Sequence, residues 1–511
     1  MRASVPRPTS HVSNGKEHLV PKTLIRARYV IASDGASHHI LEDGEVVYEG
    51  DSIVFTGHGY AEPVDEVIDA GNAIVGPGFV DLDALFDLDS TVLGFDNHPG
   101  WAKARVWAST YVERGPRDVY TPDEEQFQHE YAMVQLLLNG ITTALPIRSI
   151  LYREWAETYD ENARAAEAAA KLGIRMYLGP SYRTGLPVVY PDGSFGMHWD
   201  EERGLRGLDA AVRFVRDFDG AHDGLIRGFL QPDRIEGCTE ELLIRTAAAA
   251  EELDCPVRLH CCQGELELQL VDERWGKSSL TVLRDLGFLS QRALLPHGSL
   301  LGGLNPTPEK VETELGWLAD AGATIVHCPL VSARGGGAMN SFPRYRERGV
   351  NIGLGTDTFP PDMVLNLQVG VMATRIRTGR ASVSAADYYT AATIDGANAI
   401  GRPDLGRLTT GAKADITVFD LSGFHMGQVV DPIQTMVLNG SGRDVTTVIV
   451  NGRTVVRDRQ VPGYDLAAMH ARAQRQYEKL MASYPERSHL HPPVEEIFSP
   501  SFPVVRAGGQ A

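Results

Sequence analysis

Positive charge is what this chain has too little of. Against 67 aspartates and glutamates stand 48 lysines and arginines, a net charge of −19. That deficit speaks against nucleic acid or an anionic membrane as a partner, and otherwise bears only on solubility. Cysteine is also scarce: Cys238, Cys255, Cys261, Cys262 and Cys328 are the five in 511 residues, with no CxxC spacing. A secreted disulfide framework is excluded, and reduced thiols in a cytoplasm are expected. No apolar run has the length of a transmembrane helix. The opening MRASVPRPTSHVSNGKEHLV lacks an apolar h-region and reads as a disordered tail, not a signal peptide. What the chain does have is an ordinary apolar content of 43%, in a length that suits one large domain and a smaller one.

The pattern along the chain changes twice. From Lys22 to Ile74, β-branched runs punctuated by Gly, Asp and Asn read as strands, and ADITVFDLSG and VTTVIVNGRTVVRDRQ near the other end read the same way. Between them lie eight strand candidates: Gly78–Leu82, Ile141–Pro146, Arg175–Gly179, Leu225–Leu230, Val257–His260, Ala293–His297, Ala323–His327 and Val350–Leu354. Helices are expected over Pro122–Leu138, with Thr121 as N-cap, and over Tyr152–Leu172 and Thr239–Leu253. The alternation predicts a (β/α)8 TIM-like barrel, with an open doubly wound sheet as the alternative. The two β ends predict a small composite β-sandwich. Expected boundaries are a tail over 1–21, the sandwich over 22–75 and 402–461, the barrel over 76–401, and a helix (Asp465–Ser483) with a Pro-rich tail in 462–511. Two long insertions, Asp87–Tyr120 and Tyr182–Arg206, follow strands one and three and are rich in aromatics. Trp101 and Tyr182 are therefore candidates to face a substrate, against ordinary packing or a subunit interface.

The chemistry gathers at strand ends. GVNIGLGTD (Gly349–Asp357) sets a carboxylate at the mouth of an apolar strand, where an unpaired charge would cost several kcal/mol. ATIVHCP presents His327, LLPHG presents His297 and CPVRLHCCQGE presents His260 at earlier strand ends. A barrel brings the C-terminal ends of its strands to one face. Neutral imidazoles and a carboxylate converging there suit Zn²⁺ or a similar divalent ion, which lowers the pKa of bound water and polarises a carbonyl.

These residues resemble the amidohydrolase superfamily, closest to its cytosine deaminase and triazine (ATZ/TRZ) chlorohydrolase branch. VGPGFVD (Val75–Asp81), NGITTA (Asn139–Ala144), LHCCQGE, HCPLVSA (His327–Ala333), GVNIGLGTD, AATIDGANAIG (Ala391–Gly401) and GRLTTGAKADITVFD (Gly406–Asp420) carry the resemblance, from about Lys22 to Val461. It implies that His260 is a metal ligand, that His297 binds a metal or holds the water or scissile carbonyl, and that Asp357 is both metal ligand and general base. His327 and Gln263 are expected to meet the substrate.

The departures narrow the chemistry. The family's His-x-His after strand one is Asp83 and Leu85 here. Asp83 can ligate; Leu85 has no donor atom. Asp87, Asp89 and Asp96-Asn97-His98 are further candidates for the missing donors. The acid that shuttles protons in the deaminases is Gln263, a neutral amide, with Glu265 and Glu267 nearby. Altered strand-one ligands also mark the molinate and phenylurea hydrolases of this branch. The leading expectation is therefore a metal-dependent hydrolase, with Zn first and Co, Mn or Fe next, cutting an amide, urea or carbamate C–N bond in a small, partly aromatic molecule. The alternatives are an aminohydrolase or dechlorinase acting on an aromatic heterocycle, and a degenerate barrel that only binds or scaffolds. A homo-oligomer is expected from the resemblance.

Overall fold

The computed structural model describes residues 21–88, 107–115, 119–148, 155, 157–339, 342–378 and 382–505. Its middle holds eight strands: β1 (Phe79–Leu85), β2 (Ile141–Ile147), β3 (Arg175–Leu178), β4 (Ile226–Gly228), β5 (Val257–Arg258), β6 (Ala293–Pro296), β7 (Thr324–His327) and β8 (Asn351–Leu354). All eight coincide with the expected segments to within three residues at either end.

The strands form a TIM-barrel-like α/β arrangement, but not one continuous ladder. They pair as two four-stranded parallel sheets, β4–β3–β2–β1 and β5–β6–β7–β8. Between β4 and β5, isolated bridges join Leu230 to Val257 and Arg234 to His260. Between β8 and β1, the Asp357 amide donates to the Asp83 carbonyl at 2.9 Å. Beside it, the Thr356 amide (2.9 Å) and hydroxyl (2.6 Å) donate to the Asp81 carboxylate. A side chain thus stands where ladder bonds would run. Val80, Leu82, Leu145, Phe229, Leu294 and Val326 pack inside the ring of strands.

The helices start where their caps are. Thr121 and Glu124 form a capping box at the start of Pro122–Leu138, and Thr158 with Glu161 does the same for Tyr159–Leu172. The Thr239 hydroxyl accepts from Leu242 N at the start of Glu240–Leu253. No helix among the described residues is long and apolar enough to cross a membrane.

The two ends of the chain meet in one eight-stranded sheet. Its order is Arg453–Val456, Val445–Val450, Ile416–Asp420, Ala73–Pro77, Lys22–Ser33, His38–Glu49 and Ser52–Gly57, with Glu66–Asp69 on Lys22–Ser33. The join is antiparallel, with Val418 opposite Val75. The composite origin agrees with the expectation. Among the described residues, all eight strands from the two ends belong to that one sheet. The last long helix, Leu466–Arg487, packs Tyr477, Leu480 and Tyr484 against Tyr120 of the same chain.

The insertion after β3 carries a hairpin, Gly185–Val189 against Phe195–Trp199. Of the insertion after β1, Asp89, Phe95, Asp96-Asn97-His98 and Trp101 lie outside the described residues. Its described part packs Trp107, Tyr111 and Val112 on Trp155, Leu186 and Val188. These aromatics bury one another.

Candidate metal centre

Four of the expected residues converge at the C-terminal ends of the strands. Asp83 is at the end of β1, His260 follows β5, His297 follows β6 and Asp357 follows β8. All four are at least nine-tenths buried. The Nε2 of His260 lies 3.6 Å from Asp83 Oδ2, and the Nε2 of His297 lies 3.8 Å from Asp357 Oδ2. Donor atoms of Asp83, His260 and His297 all fall within 4.8 Å of one another, and so do those of His297, Cys328 and Asp357.

The backbone explains the convergence. His297 and Asp357 both take positive φ, 71° and 41°, so the chain turns sharply as each strand ends and throws its side chain inward. Gly355 permits the approach of β8 to β1, because a Cβ there would lie 2.5 Å from Asp83 Cβ and 3.0 Å from Cys328 Sγ.

The orientation of His260 fits a metal ligand. Its Nδ1 lies 2.7 Å from the Asp233 carbonyl, which can only accept, so Nδ1 carries the proton and Nε2 presents a lone pair toward Asp83. The Nε2 of His297 is buried with no hydrogen-bond partner. An orphaned imidazole nitrogen facing a carboxylate, beside a second imidazole whose ring centroid is 5.6 Å away, is a donor set that suits a divalent ion.

Charge is balanced from below. Arg258, on β5 and fully buried, sets Nη1 3.1 Å from Asp83 Oδ1, close enough for an ion pair though off line for a hydrogen bond. The same guanidinium donates to the carbonyls of Leu82 (3.1 Å), Leu145 (2.6 Å) and Pro146 (3.0 Å) and to Gln231 Oε1 (2.6 Å). Burial alone would raise the Asp83 carboxyl, but Arg258, then His260 and His297, hold it well below the usual carboxylate range. Asp357 moves the other way: burial, then the Asp83 charge, push it well above that range. Burial and the neighbouring His260 lower His297 and keep it a neutral base. Asp81, beneath them, is raised by burial to about 6.

The loop after β5 holds its polar groups inward. Arg234 Nη1 donates to the Gln263 amide oxygen. Glu267 accepts from the amides of Cys262 (2.7 Å) and Gln263 (2.8 Å) and from the Ser279 hydroxyl (2.6 Å). Both of its oxygens are therefore committed to shaping this loop, and Glu265 is exposed.

Of the other expected residues, Tyr182 lands away from the centre. Tyr182 is fully buried, with its hydroxyl 3.1 Å from Thr246 on the Glu240–Leu253 helix. Ser181 and Tyr182 continue the direction of β3, pairing in parallel with Gln231 and Pro232, and the Tyr182 ring is buried toward that helix, not on an open pocket. The ring of His327 sits 6.1 Å from Phe342 and 6.0 Å from Tyr388, and its Nδ1 is buried without a hydrogen bond. Asp87 is buried and Trp101 lies outside the described residues. Arg258, Arg234 and Cys328 belong to the centre without having been singled out. An arginine inside the apolar strand VRLH was the available signal for the first.

The chain is similar to known proteins over most of its length. The model of the amidohydrolase family matches residues 74–455. The chain is 28% identical over 451 residues to a 5-methylthioadenosine/S-adenosylhomocysteine deaminase of Halobacterium salinarum, covering 86% of this chain and 95% of that one. It is 26% identical over 469 residues to a 5'-deoxyadenosine deaminase of Methanosarcina barkeri, covering 90% and 98%. Among solved structures it resembles zinc-bound atrazine chlorohydrolase TrzN of Arthrobacter aurescens, with a TM-score of 0.72 and 23% identity over 89% of this chain and 99% of that one. A zinc-bound adenosine deaminase of Xanthomonas campestris gives a TM-score of 0.72 at 20% identity, over 90% and 98%.

Proposed function

The chain belongs to the amidohydrolase family, and from that membership we propose that it hydrolyses an amide-like C–N bond (amide, urea or carbamate) in a small, partly aromatic molecule. The residues that would hold a divalent ion, zinc first, are Asp83, His260, His297 and Asp357. When bound, such an ion supplies the acidity that makes water nucleophilic near neutral pH, and it polarises the carbonyl under attack.

The chain's own groups do the rest. Asp357 takes a proton from the attacking water and hands it to the departing nitrogen. His297, kept neutral by burial and 3.8 Å from Asp357, orients the water or steadies the developing oxyanion. Asp233 fixes the tautomer of His260 through its carbonyl, and Arg258 holds one oxygen of Asp83 so that the other faces the two imidazoles.

One observation carries the choice of bond. The segment after β5 holds no buried acid free of its own loop, because Gln263 is bonded to Arg234, Glu267 is spent on that loop and Glu265 is exposed. Expelling an amine from a tetrahedral carbonyl adduct needs one proton carrier, which Asp357 supplies. Ring deamination needs a further acid at a ring nitrogen.

The relatives' names favour a second reading, an aminohydrolase acting on a nucleoside-like or other aromatic heterocycle. Release of ammonia or chloride with no carbonyl cleavage would identify it.

The test begins with metal content by plasma mass spectrometry on protein purified without chelators, beside His260→Ala and Asp357→Ala. About one equivalent or more, lost in both variants, is expected. On a substrate found by screening amides, ureas and carbamates, Asp357→Asn should lose about 10²- to 10⁴-fold in kcat. Full activity in that variant would overturn the proton path. No metal in the wild type, even after reconstitution, would turn the reading to a non-catalytic scaffold.

A further inference from the structure

We infer that Cys328, which directly follows β7, is a metal ligand whose sulfur supplies the donor that Leu85 cannot. The inference rests on the metal-dependent reading above and extends it to a residue outside that donor set.

The argument is geometric. Donors bound to one ion at 2.0–2.3 Å in a tetrahedral array stand about 3.3–3.8 Å apart. Asp83 Oδ2 lies 3.6 Å from His260 Nε2 and 3.7 Å from Cys328 Sγ. The sulfur therefore stands from Asp83 at the spacing of a co-ligand, and its distances to the His297 and Asp357 donors also fall within 4.8 Å. Nothing intervenes on the β8 side, because Gly355 has no side chain where a Cβ would come 3.0 Å from Sγ. Leu85, on the strand that presents Asp83, is instead buried in the main apolar core, opposite Ile147 of β2.

The competing account is that Cys328 is a small apolar filler whose thiol donates weakly to Asp83 or to the Val326 carbonyl, each at 3.7 Å. Packing explains the residue's burial beside Leu82 and Val326. The two accounts place the sulfur against the same carboxylate and differ in whether it carries a proton or a metal. A soft thiolate among oxygen and imidazole donors would bias the site toward zinc and cobalt and against magnesium or calcium. The step balances simply: the S–H bond breaks, its proton leaves to solvent, and the sulfur–metal bond forms.

Cobalt makes the bond visible. Full-length protein stripped of metal and reloaded with Co²⁺ should show a near-ultraviolet thiolate-to-cobalt charge-transfer band beside its visible bands. Cys328→Ser and Cys328→Ala should lose that band, whereas Cys255→Ser, altered at a thiol just before β5, should keep it. Zinc affinity by chelator competition should fall at least about 10- to 100-fold in Cys328→Ser. Should both Cys328 variants misfold by circular dichroism, a protein keeping Cys328 as its sole cysteine should retain the band. Cobalt bound at wild-type stoichiometry without the band, or a band that survives in Cys328→Ser, overturns the ligand assignment and leaves the hydrolase reading standing. A wild type that binds neither cobalt nor zinc overturns both.

Discussion

Asp83→Asn separates a metal site from an accident of packing. The carboxylate and its partner guanidinium are both fully buried, 3.1 Å apart. Removing one partner of such a pair costs about 3–5 kcal/mol, most of it from the charge left behind. Arg258 keeps its bonds to Leu82, Leu145, Pro146 and Gln231, and asparagine still offers a carbonyl oxygen, so the lower end, about 3 kcal/mol, is expected. At about 2.1 cal/mol/K per residue, a cooperative unit of about 400 residues has an unfolding entropy near 0.8 kcal/mol/K. The metal-free variant should therefore melt about 3–4 °C below the metal-free wild type. The pH dependence has a definite sign. Arg258 and the imidazoles overcome burial and hold Asp83 below its ordinary value. Its contribution is therefore fully present above the unfolded carboxyl pKa, about 3.9, and is lost as pH falls through the lower folded value. The gap between the two proteins should be flat from about pH 5 upward and shrink below about pH 4. Differential scanning calorimetry on chelator-treated protein reads the first quantity, and chelator competition reads zinc affinity, which should also fall. Equal melting within about 1 °C, together with unchanged zinc affinity, would refute both the ion pair and the ligand role.

Two further outcomes follow from the same geometry. Gly355→Ala sets a methyl 2.5 Å from Asp83 Cβ and 3.1 Å from Asp83 N, where backbone cannot give way. A loss of at least about 1–3 kcal/mol and of bound metal is expected, read by thermal melting and metal analysis. His327→Gln acts through pH. Burial lowers the imidazole to about 3, against about 6.5 unfolded, so between those values the unfolded chain binds the extra proton and stability rises with pH. The metal-free variant should lose up to about 1.4 kcal/mol per pH unit of that slope, measured by urea denaturation between pH 4.5 and 6.5, and an unchanged slope would place the His327 ring in contact with water.

The centre was legible where chemistry and strand punctuation coincide. His260, His297 and Asp357 stand at the ends of apolar runs, and a charge or imidazole there has few structural uses. Asp83 was legible because it stands where the resembled family has the first histidine of its His-x-His and has a carboxylate that can ligate. The Pro122–Leu138 helix was legible because a capping box spells its own boundary. Tyr182 and Glu267 were not. Whether an aromatic after β3 faces a pocket or the underside of a helix depends on how the chain turns beyond the strand, and Thr246, its partner, is 64 residues away. Whether a carboxylate near His260 shuttles protons or ties its own loop depends on three donors that only the folded loop brings to it. How the strands of the two chain ends pair was illegible for a related reason. Strand patterns identify strands but not their partners, and Lys22–Ser33 pairs with His38–Glu49, Glu66–Asp69 and Ala73–Pro77, which draws both chain ends into one sheet.

The pairing of Asp83 with Arg258 also bears on why this centre should be read as working rather than decayed. A buried ion pair contributes little to stability, and well-packed apolar residues of similar volume often serve as well or better. Leucine already occupies position 85, two residues along the same strand, and an equally apolar choice at 83 and 258 would spare the barrel two desolvated charges. The carboxylate is instead kept ionised by a guanidinium that four other acceptors hold in place, while its second oxygen stays turned to His260. The charges make sense once a divalent cation is counted. A carboxylate in place of a neutral imidazole takes one positive charge from the centre, and Arg258 returns it. An arrangement that restores the charge of a metal centre while fixing one ligand oxygen is what a bound divalent cation would require.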